Sequence, residues 1–176
     1  MNHINLKDRD YKDFEETLVS IIVITFNSEK YIAETLESIK EQTYNTIELI
    51  ISDDHSNDET IEICESWLKE NSDRFVRTQI VLSETNTGIA HNCNRGILAS
   101  RGEWIKVIAG DDALEPDMTR RYMQFAKLQS NAVAIFSRIE AYEETFEPEK
   151  KIRIKSNANK GFNCPQSTAK EQFNVL

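Results

Sequence analysis

The sequence predicts an α/β fold with a mainly parallel central sheet flanked by helices, because three features recur along it. Short apolar runs rich in β-branched residues alternate with amphipathic stretches, and polar turn residues separate the two. Such alternation is typical of β-α-β units with right-handed crossovers. With 176 residues, of which 39% are hydrophobic, the chain can bury one core of ordinary size.

Five apolar runs are predicted as strands. The first is nearly continuous in β-branched residues, which suits a strand that is covered on both faces. The fourth is bounded by Gly102 and Gly110, which punctuate it as turn residues do. The predicted strands cover residues 18–25, 47–52, 75–82, 104–109 and 132–141.

Four amphipathic stretches are predicted as helices, one after each of the first four strands. Each carries apolar residues at the spacing of one helical face. Ser56 and Glu59 have the S-x-x-E form of a capping box and predict the start of the second helix. The predicted apolar residues are Ile32, Leu36 and Ile39; Ile61, Cys64, Trp67 and Leu68; Ile89, Cys93 and Ile97; and Met118, Tyr122 and Phe125.

The predicted organisation has three parts. Residues 1–17 form a polar N-terminal extension, and residues 18–142 form the core. Residues 143–176 are charged and polar and cannot build a core of their own. We expect them to begin a region that continues beyond Leu176, so the fold is predicted to be incomplete at the C-terminus.

Charge and cysteine usage exclude several classes of protein. A net charge of −9 argues against a nucleic-acid partner, and a phosphorylated ligand would need a divalent cation as intermediary. Cys64, Cys93 and Cys164 have neither CxxC spacing nor a nearby pair of His residues, so no disulfide framework or zinc site is indicated. Without a membrane-length apolar run or a signal sequence, the chain is predicted to be cytoplasmic.

Two acidic pairs, Asp53-Asp54 and Asp111-Asp112, each follow a predicted strand. Ligands bind at the carboxyl ends of strands in open α/β sheets. Adjacent carboxylates there repel each other unless a cation, a hydrogen-bond donor or solvent relieves them. The alternative reading is that a pair is a solvated turn and helix cap. The sequence therefore predicts a ligand site at this edge, although each pair could instead be a solvated turn and helix cap.

Four blocks of the sequence resemble, in order, those of the family 2 glycosyltransferases with the GT-A fold. They are residues 19–27, 48–60, 86–104 and 110–117, and the likeness extends over about 18–140. The resemblance implies a GT-A-type, Rossmann-like sandwich that binds a nucleotide sugar.

The first two blocks imply contacts to the nucleotide. Thr25, Phe26 and Asn27 match a segment whose aromatic ring lies against the base, although Phe26 could instead pack in the core. Asp53 matches a residue that accepts a hydrogen bond from the uracil imide, a task that suits an ionised carboxylate because it only accepts.

The third block implies that Gly88, His91 and Asn94 lie along the donor site. Gly88 could equally be a helix-entry glycine and His91 a solvated helix residue. Arg95 could pair with a carboxylate such as Asp111.

The fourth block resembles the metal motif of the family, with Ala109 where many members have a carboxylate. The resemblance implies that Asp112 binds Mg²⁺ or Mn²⁺ and that Asp111 meets the ribose or the water shell of the metal. One or two carboxylates and substrate phosphates are enough for such a hard cation.

The function that the resemblance implies is inverting, metal-dependent transfer of a sugar from a nucleotide donor, expected to be a UDP-sugar. The acceptor is expected to be a hydroxyl of a saccharide or of a lipid-linked molecule, in polysaccharide or glycoconjugate synthesis. The full-length enzyme is expected to associate peripherally with membranes or to form a homodimer. The resemblance implies that residues 143–176 begin an acceptor-binding region. No catalytic base is assigned, because the family supplies it in a later segment. Two alternatives are a non-catalytic nucleotide-diphosphate-binding module and a receiver-like domain, for which a suitable Lys is missing.

Overall fold

The computed structural model describes residues 17–129, 131–137, 141–142 and 151–152. The chain divides into two units, Met1–Ile135 and Phe136–Leu176. The first contains a parallel sheet of four strands in the order β3-β2-β1-β4, so the predicted α/β fold with a parallel sheet is confirmed. In the described residues of the second, β5 and β6 form an antiparallel pair of two residues each.

The four strands of the parallel sheet lie close to their predicted positions. The third begins two residues late, because Phe75 ends a short 3₁₀ turn and packs on Trp67, with 6.1 Å between the ring centroids. The strands are β1 Val19–Thr25, β2 Ile47–Asp53, β3 Arg77–Leu82, β4 Trp104–Ala109, β5 Ala141–Tyr142 and β6 Lys151–Ile152.

The predicted strand over 132–141 is wrong for residues 132–137, and residues 138–140 lie outside the described part of the chain. Residues 132–137 form no strand, and Ala141 alone of the described part of this stretch lies in one, the short β5. Val133 is 95% exposed and Phe136 is 67% exposed. A run of apolar residues becomes a strand only where a neighbouring strand supplies the hydrogen-bonded ladder, and residues 132–137 join neither described sheet.

Four helices flank the parallel sheet. The apolar face of the first, Ile32, Leu36 and Ile39, is buried as predicted. Among the described residues no helix has the length and apolar character needed to cross a membrane. The helices are α1 Ile32–Lys40, α2 Thr60–Asn71, α3 Ile89–Ala99 and α4 Met118–Leu128, and the 3₁₀ turn Ser72–Arg74 follows α2.

The helices cover both faces of the sheet. Residues of α1 and α2 join Ile21, Val23 and Leu49 in one buried cluster. Helix α3 covers the opposite face, where Gly96 lies so close to Ile22 and Ser52 that a Cβ atom would collide with the Ile22 side chain. The core therefore occupies both sides of β1 and β2.

Helices α3 and α4 form as predicted, but the predicted apolar residues are not their buried faces. Ile89 is 76% exposed and Phe125 is 48% exposed. The buried residues of α3 are Asn92 and Gly96, which allow the backbone to approach the sheet and form hydrogen bonds to it. Those of α4 are Thr119, Met123 and Ala126.

The predicted capping box at Ser56 is also wrong. Helix α2 begins at Thr60, and the Asp58 carboxylate accepts hydrogen bonds from the Thr60 amide at 3.1 Å and its hydroxyl at 2.5 Å. Ser56 instead donates to Asp53 at 2.5 Å. Ser56 therefore supports the end of β2 and does not cap helix α2.

Candidate functional site

The predicted site residues gather at the carboxyl edge of the parallel sheet. Thr25 lies opposite Asp53 at the ends of β1 and β2, and Ala109 of β4 lies opposite Ile24. The chain runs outward in both directions from β1, and this reversal of strand order marks the usual crevice for ligands in such sheets. Helices α1 and α3, on opposite faces, flank it.

Asp53 is buried and already has three donors. Its carboxylate accepts from the Thr25 hydroxyl at 2.7 Å, from the Ser56 amide at 2.8 Å and from the Ser56 hydroxyl. Asp53 and Thr25 are each 2% exposed. Their contact to a nucleotide stays a prediction, and the geometry shows both of them joining the ends of β1 and β2.

Asp54 belongs to a different network, on the α3 side of the sheet. One carboxylate oxygen accepts from the Thr87 hydroxyl at 2.7 Å and from Arg95 Nη2 at 2.6 Å. The other accepts from the backbone amides of Thr87 at 2.9 Å and Gly88 at 2.6 Å. The two adjacent carboxylates therefore have separate sets of hydrogen-bond donors.

The charge of Asp54 is stabilised despite its burial. Burial alone would raise its pKa, but the hydrogen bonds from Thr87, Arg95 and Gly88 outweigh that effect and lower the pKa from 3.8 to about 2. The reading in which Arg95 pairs with a carboxylate is confirmed, and the partner is Asp54, not Asp111. Asp54 therefore holds the loop that leads into α3.

The loops after β1 and β2 are joined by reciprocal hydrogen bonds. The Asn27 amide donates to Ser56 Oγ, and Asn27 Oδ1 accepts from the Asn57 amide, both at 2.8 Å. Asn27 and His55 both adopt left-handed backbone conformations, with φ of 50° and 71°. Such conformations persist where their surroundings fix them.

Phe26 directly follows β1, at the start of the first of these joined loops. Its ring is 45% exposed, so core packing does not account for it. A ring held at the edge of the sheet, on a loop fixed by hydrogen bonds, suits stacking on a flat ligand.

The residues predicted in the third block lie around the start of α3. Gly88 precedes the helix with φ of 85°, a conformation that favours glycine, so the helix-entry reading is confirmed. His91 Nδ1 lies 3.0 Å from the Thr87 carbonyl oxygen, and both His91 and Asn94 are exposed. Their contact to a donor stays a prediction.

Asp111 and Asp112 differ from the first acidic pair. Both are exposed, they form no ion pair, and no side chain among the described residues donates a hydrogen bond to them. The Asp112 amide donates to the Ala109 carbonyl at 3.2 Å, which closes a turn directly after β4. Although the residue is exposed, desolvation of its carboxylate by the surrounding atoms, followed by the charge of Asp111, raises the pKa of Asp112, and Lys106 partly offsets this. A cation would relieve that repulsion.

Sequence reasoning did not find the network of Asp54, Thr87, Asn92 and Arg95. Asn92 Nδ2 donates to the Thr25 carbonyl at 3.1 Å, and the Asn92 carbonyl accepts from Ser52 Oγ at 3.1 Å. One signal was available. Asn92 and Arg95 are three residues apart, which places two polar side chains close together on the helix, beside the predicted apolar stripe of Ile89, Cys93 and Ile97.

The chain belongs to glycosyltransferase family 2. The family model described as Glycosyl transferase family 2 matches residues 20–174. The chain is 37% identical over 119 residues to the putative glycosyltransferase EpsH of Bacillus subtilis, which is 68% of this chain and 33% of that protein. It spans about a third of the length of the curated relatives it matches.

Solved glycosyltransferases share the fold. TarS of Staphylococcus aureus, residues 1–349 in complex with UDP-GlcNAc, is 28% identical with a TM-score of 0.58, over 64% of this chain and 32% of that one. The mannosyltransferase PcManGT of Pyrobaculum calidifontis, in complex with GDP-Man and Mn²⁺, is 25% identical with a TM-score of 0.58. The match covers 61% of this chain and 32% of that one. The predicted GT-A-type fold is thereby confirmed.

Proposed function

We propose that the chain is the donor-binding portion of an inverting glycosyltransferase that uses a nucleotide-diphosphate sugar, by preference a UDP-sugar, and a divalent cation. The observation that carries the proposal is the contrast between the two acidic pairs. Asp53 accepts hydrogen bonds from Thr25 and Ser56 and Asp54 pairs with Arg95, whereas Asp111 and Asp112 are exposed and have no ion-pair partner among the described residues. Both stand at the edge where such sheets bind ligands.

The arrangement divides the proposed site into two ends. Phe26 and the joined loops after β1 and β2 provide a flat, fixed surface for the base. The acidic pair after β4 lies one strand further along the sheet, on the other side of β1. Mg²⁺ or Mn²⁺ fits carboxylate oxygens there, with Asp112 as ligand and Asp111 toward the ribose or the water around the ion. When bound, the cation neutralises the charge of the departing diphosphate.

The nucleotide sugars bound to these solved relatives support the proposal, but they do not identify the nucleotide base that this chain binds. The TarS structure contains UDP-GlcNAc and the PcManGT structure contains GDP-Man with Mn²⁺. We propose uracil because, in the family that the second block resembles, the residue that Asp53 matches accepts a hydrogen bond from the imide. The acceptor is proposed to be a saccharide or lipid-linked hydroxyl, handled by a cytoplasmic enzyme in polysaccharide or glycoconjugate synthesis.

We expect UDP to bind only with Mn²⁺ or Mg²⁺ present. A net charge of −9 and exposed carboxylates give a bare diphosphate little attraction, and the cation reverses the sign of that interaction. Calorimetric titration of UDP with Mn²⁺, and again with excess chelator, measures the difference. Uridine, which has no phosphate, is the matched control because the cation should leave its affinity unchanged. Equal UDP affinity in both titrations would remove the metal from the proposal.

Residues 1–176 alone are expected to bind a nucleotide sugar but to transfer it poorly. Transfer to a specific hydroxyl needs a positioned base, and from Met118 onward the described residues contain no Asp or Glu. Glu143, Glu144 and Glu147 lie outside the described residues. Release of UDP with and without candidate acceptors distinguishes slow hydrolysis from transfer. Acceptor-dependent turnover at ordinary enzymatic rates would contradict this expectation and make those three glutamates the first candidates for the base.

The second candidate function is a nucleotide-diphosphate-binding module without transfer. It is favoured by the placement of the candidate site residues, which belong to the proposed donor site, while no catalytic base is assigned among the described residues. Binding of UDP-sugar by the full-length protein, without release of the sugar to any acceptor or to water, would favour this second function.

A further inference from the structure

The segment that follows the second acidic pair is tied to the end of helix α1 by hydrogen bonds. We call this set of contacts, between residues 38–43 and 114–119, the Gln42 clamp. The Leu114 amide donates to Ser38 Oγ at 3.2 Å, and the Thr43 amide donates to the Pro116 carbonyl at 2.8 Å. The clamp therefore joins two parts of the chain more than 70 residues apart.

Gln42 is the centre of the clamp, and its amide group is fully used. Nε2 donates to the carbonyls of Ser38 at 3.2 Å and Glu115 at 2.8 Å. Oε1 accepts from the Thr119 amide at 3.1 Å and from its hydroxyl at 2.7 Å. A primary amide offers two donors and two acceptor positions, so none is left over. Gln42 is 3% exposed, which makes each of these bonds costly to lose.

The other end of the acidic segment is fixed as well. The Gly110 amide donates to the Ile24 carbonyl at 3.0 Å. A Cβ atom on Gly110 would lie 3.0 Å from Thr25 Cγ2 and 3.1 Å from Ser28 Oγ, so the backbone runs tightly against the end of β1. Between Gly110 and Leu114 only residues 111–113 remain, and we call them the acidic arch. Two fixed ends leave an arch of three residues little freedom.

We propose that Gln42 is a positioning residue that holds the acidic arch in the geometry needed to bind a divalent cation with a diphosphate. The inference rests on the proposed function of Asp112. Gln42 meets the backbone on the far side of the arch and, by this assignment, touches neither cation nor nucleotide. Groups that orient metal ligands typically contribute about 10- to 100-fold to metal affinity.

Three variants test the clamp in the full chain. Gln42→Leu removes all four side-chain hydrogen bonds. Thr119→Val keeps the side-chain shape but removes one donor to Gln42, and Thr119→Ser restores that hydroxyl. Two quantities are measured: hydrogen exchange of the Asp112 and Leu114 amides without ligand, and UDP affinity with Mn²⁺ well below the unfolding temperature.

A matched control separates positioning from general loss of stability. Trp67 Nε1 donates to Glu37 Oε1 at 2.7 Å, which joins α1 to α2 away from the arch. Trp67→Phe should lower the unfolding temperature but leave the exchange of the arch and the UDP affinity unchanged.

The expected result is faster exchange at Asp112 and Leu114 and about tenfold weaker Mn²⁺-dependent affinity in Gln42→Leu. Thr119→Val should show a smaller effect in the same direction, with recovery in Thr119→Ser. If Gln42→Leu fails to fold, the Thr119 pair decides. Unchanged exchange, or an affinity that falls no more than in Trp67→Phe, would overturn the proposal. A wild-type chain that binds no UDP with Mn²⁺ contradicts the proposed function instead, and the exchange measurement still decides whether Gln42 holds the arch.

Discussion

Replacing Asp112 by Asn is expected to abolish Mn²⁺-dependent UDP binding while leaving the fold intact. A neutral amide oxygen is a poorer ligand for a hard cation than a carboxylate, and Asp111 alone would have to replace it. We expect the affinity for UDP with Mn²⁺ to fall by about 100-fold or more, since loss of a ligand should exceed the effect of outer contacts. Because Asp112 is exposed, its substitution should change the free energy of unfolding by less than about 0.5 kcal/mol.

Calorimetry with Mn²⁺ and thermal unfolding together check this result. Glu115→Gln is the matched control, because it removes one negative charge from an exposed side chain three residues away. The control should bind UDP as the wild type does. Wild-type affinity in Asp112→Asn would place the cation elsewhere, and unfolding of the variant would show that the pair is structural.

Replacing Asp54 by Asn should destabilise the fold by roughly 3–5 kcal/mol, because it breaks a buried ion pair and leaves Arg95 without its counter-charge. An Asn side chain must turn its NH₂ group toward one of two sets of donors, Thr87 and Arg95 or the backbone amides of Thr87 and Gly88. A loss of this size is a large fraction of the 5–15 kcal/mol that ordinarily stabilises a domain. Urea unfolding with an unchanged slope measures it.

The chain offers an exposed ion pair of the same chemistry as a control. Arg121 and Asp117 are 2.7 Å apart with side chains 73% and 40% exposed, whereas Arg95 and Asp54 are 2.6 Å apart and 22% and 3% exposed. Asp117→Asn should lower the free energy of unfolding by less than about 1 kcal/mol. Similar losses in the two variants would show that burial does not determine the importance of Asp54.

The same carboxylate predicts how stability depends on pH. Its pKa is lowered from 3.8 to about 2 in the folded protein, so its stabilising effect is fully present above pH 3.8 and is lost as the pH falls through 2. One pKa unit corresponds to about 1.4 kcal/mol, which makes this contribution about 2 kcal/mol. Unfolding at pH 5 and at pH 2 should show the loss in the wild type. Asp54→Asn should lack this component, and an equal loss in that variant would assign it to other groups.

The sequence by itself determined the sheet and its edge. Four strands and four helices follow from local periodicity, and the parallel sheet follows from their alternation. Since parallel strands end at one edge, the placement of Thr25, Asp53 and Asp111 near one another was predictable. The strand predicted over 132–141 does not form at residues 132–137, because strand pairing depends on a neighbouring strand that the periodicity of the segment does not reveal.

Helix faces were decided by packing that periodicity does not reveal. The apolar residues Ile89 and Phe125 are exposed, whereas Gly96 and Thr119 are buried. Gly96 is buried because only a residue without a Cβ atom fits beside Ile22. Thr119 is buried because its hydroxyl donates a hydrogen bond to Gln42. Each reason lies in another part of the chain.

Only the tertiary structure distinguished the two acidic pairs. Asp53-Asp54 and Asp111-Asp112 are the same dipeptide after the same kind of strand, so local sequence predicts the same role for both. Thr87, Gly88 and Arg95 reach Asp54 from 33 to 41 residues away, whereas no described side chain donates to Asp111 or Asp112. The charge of a carboxylate depends on the donors that surround it, and folding decides which donors arrive.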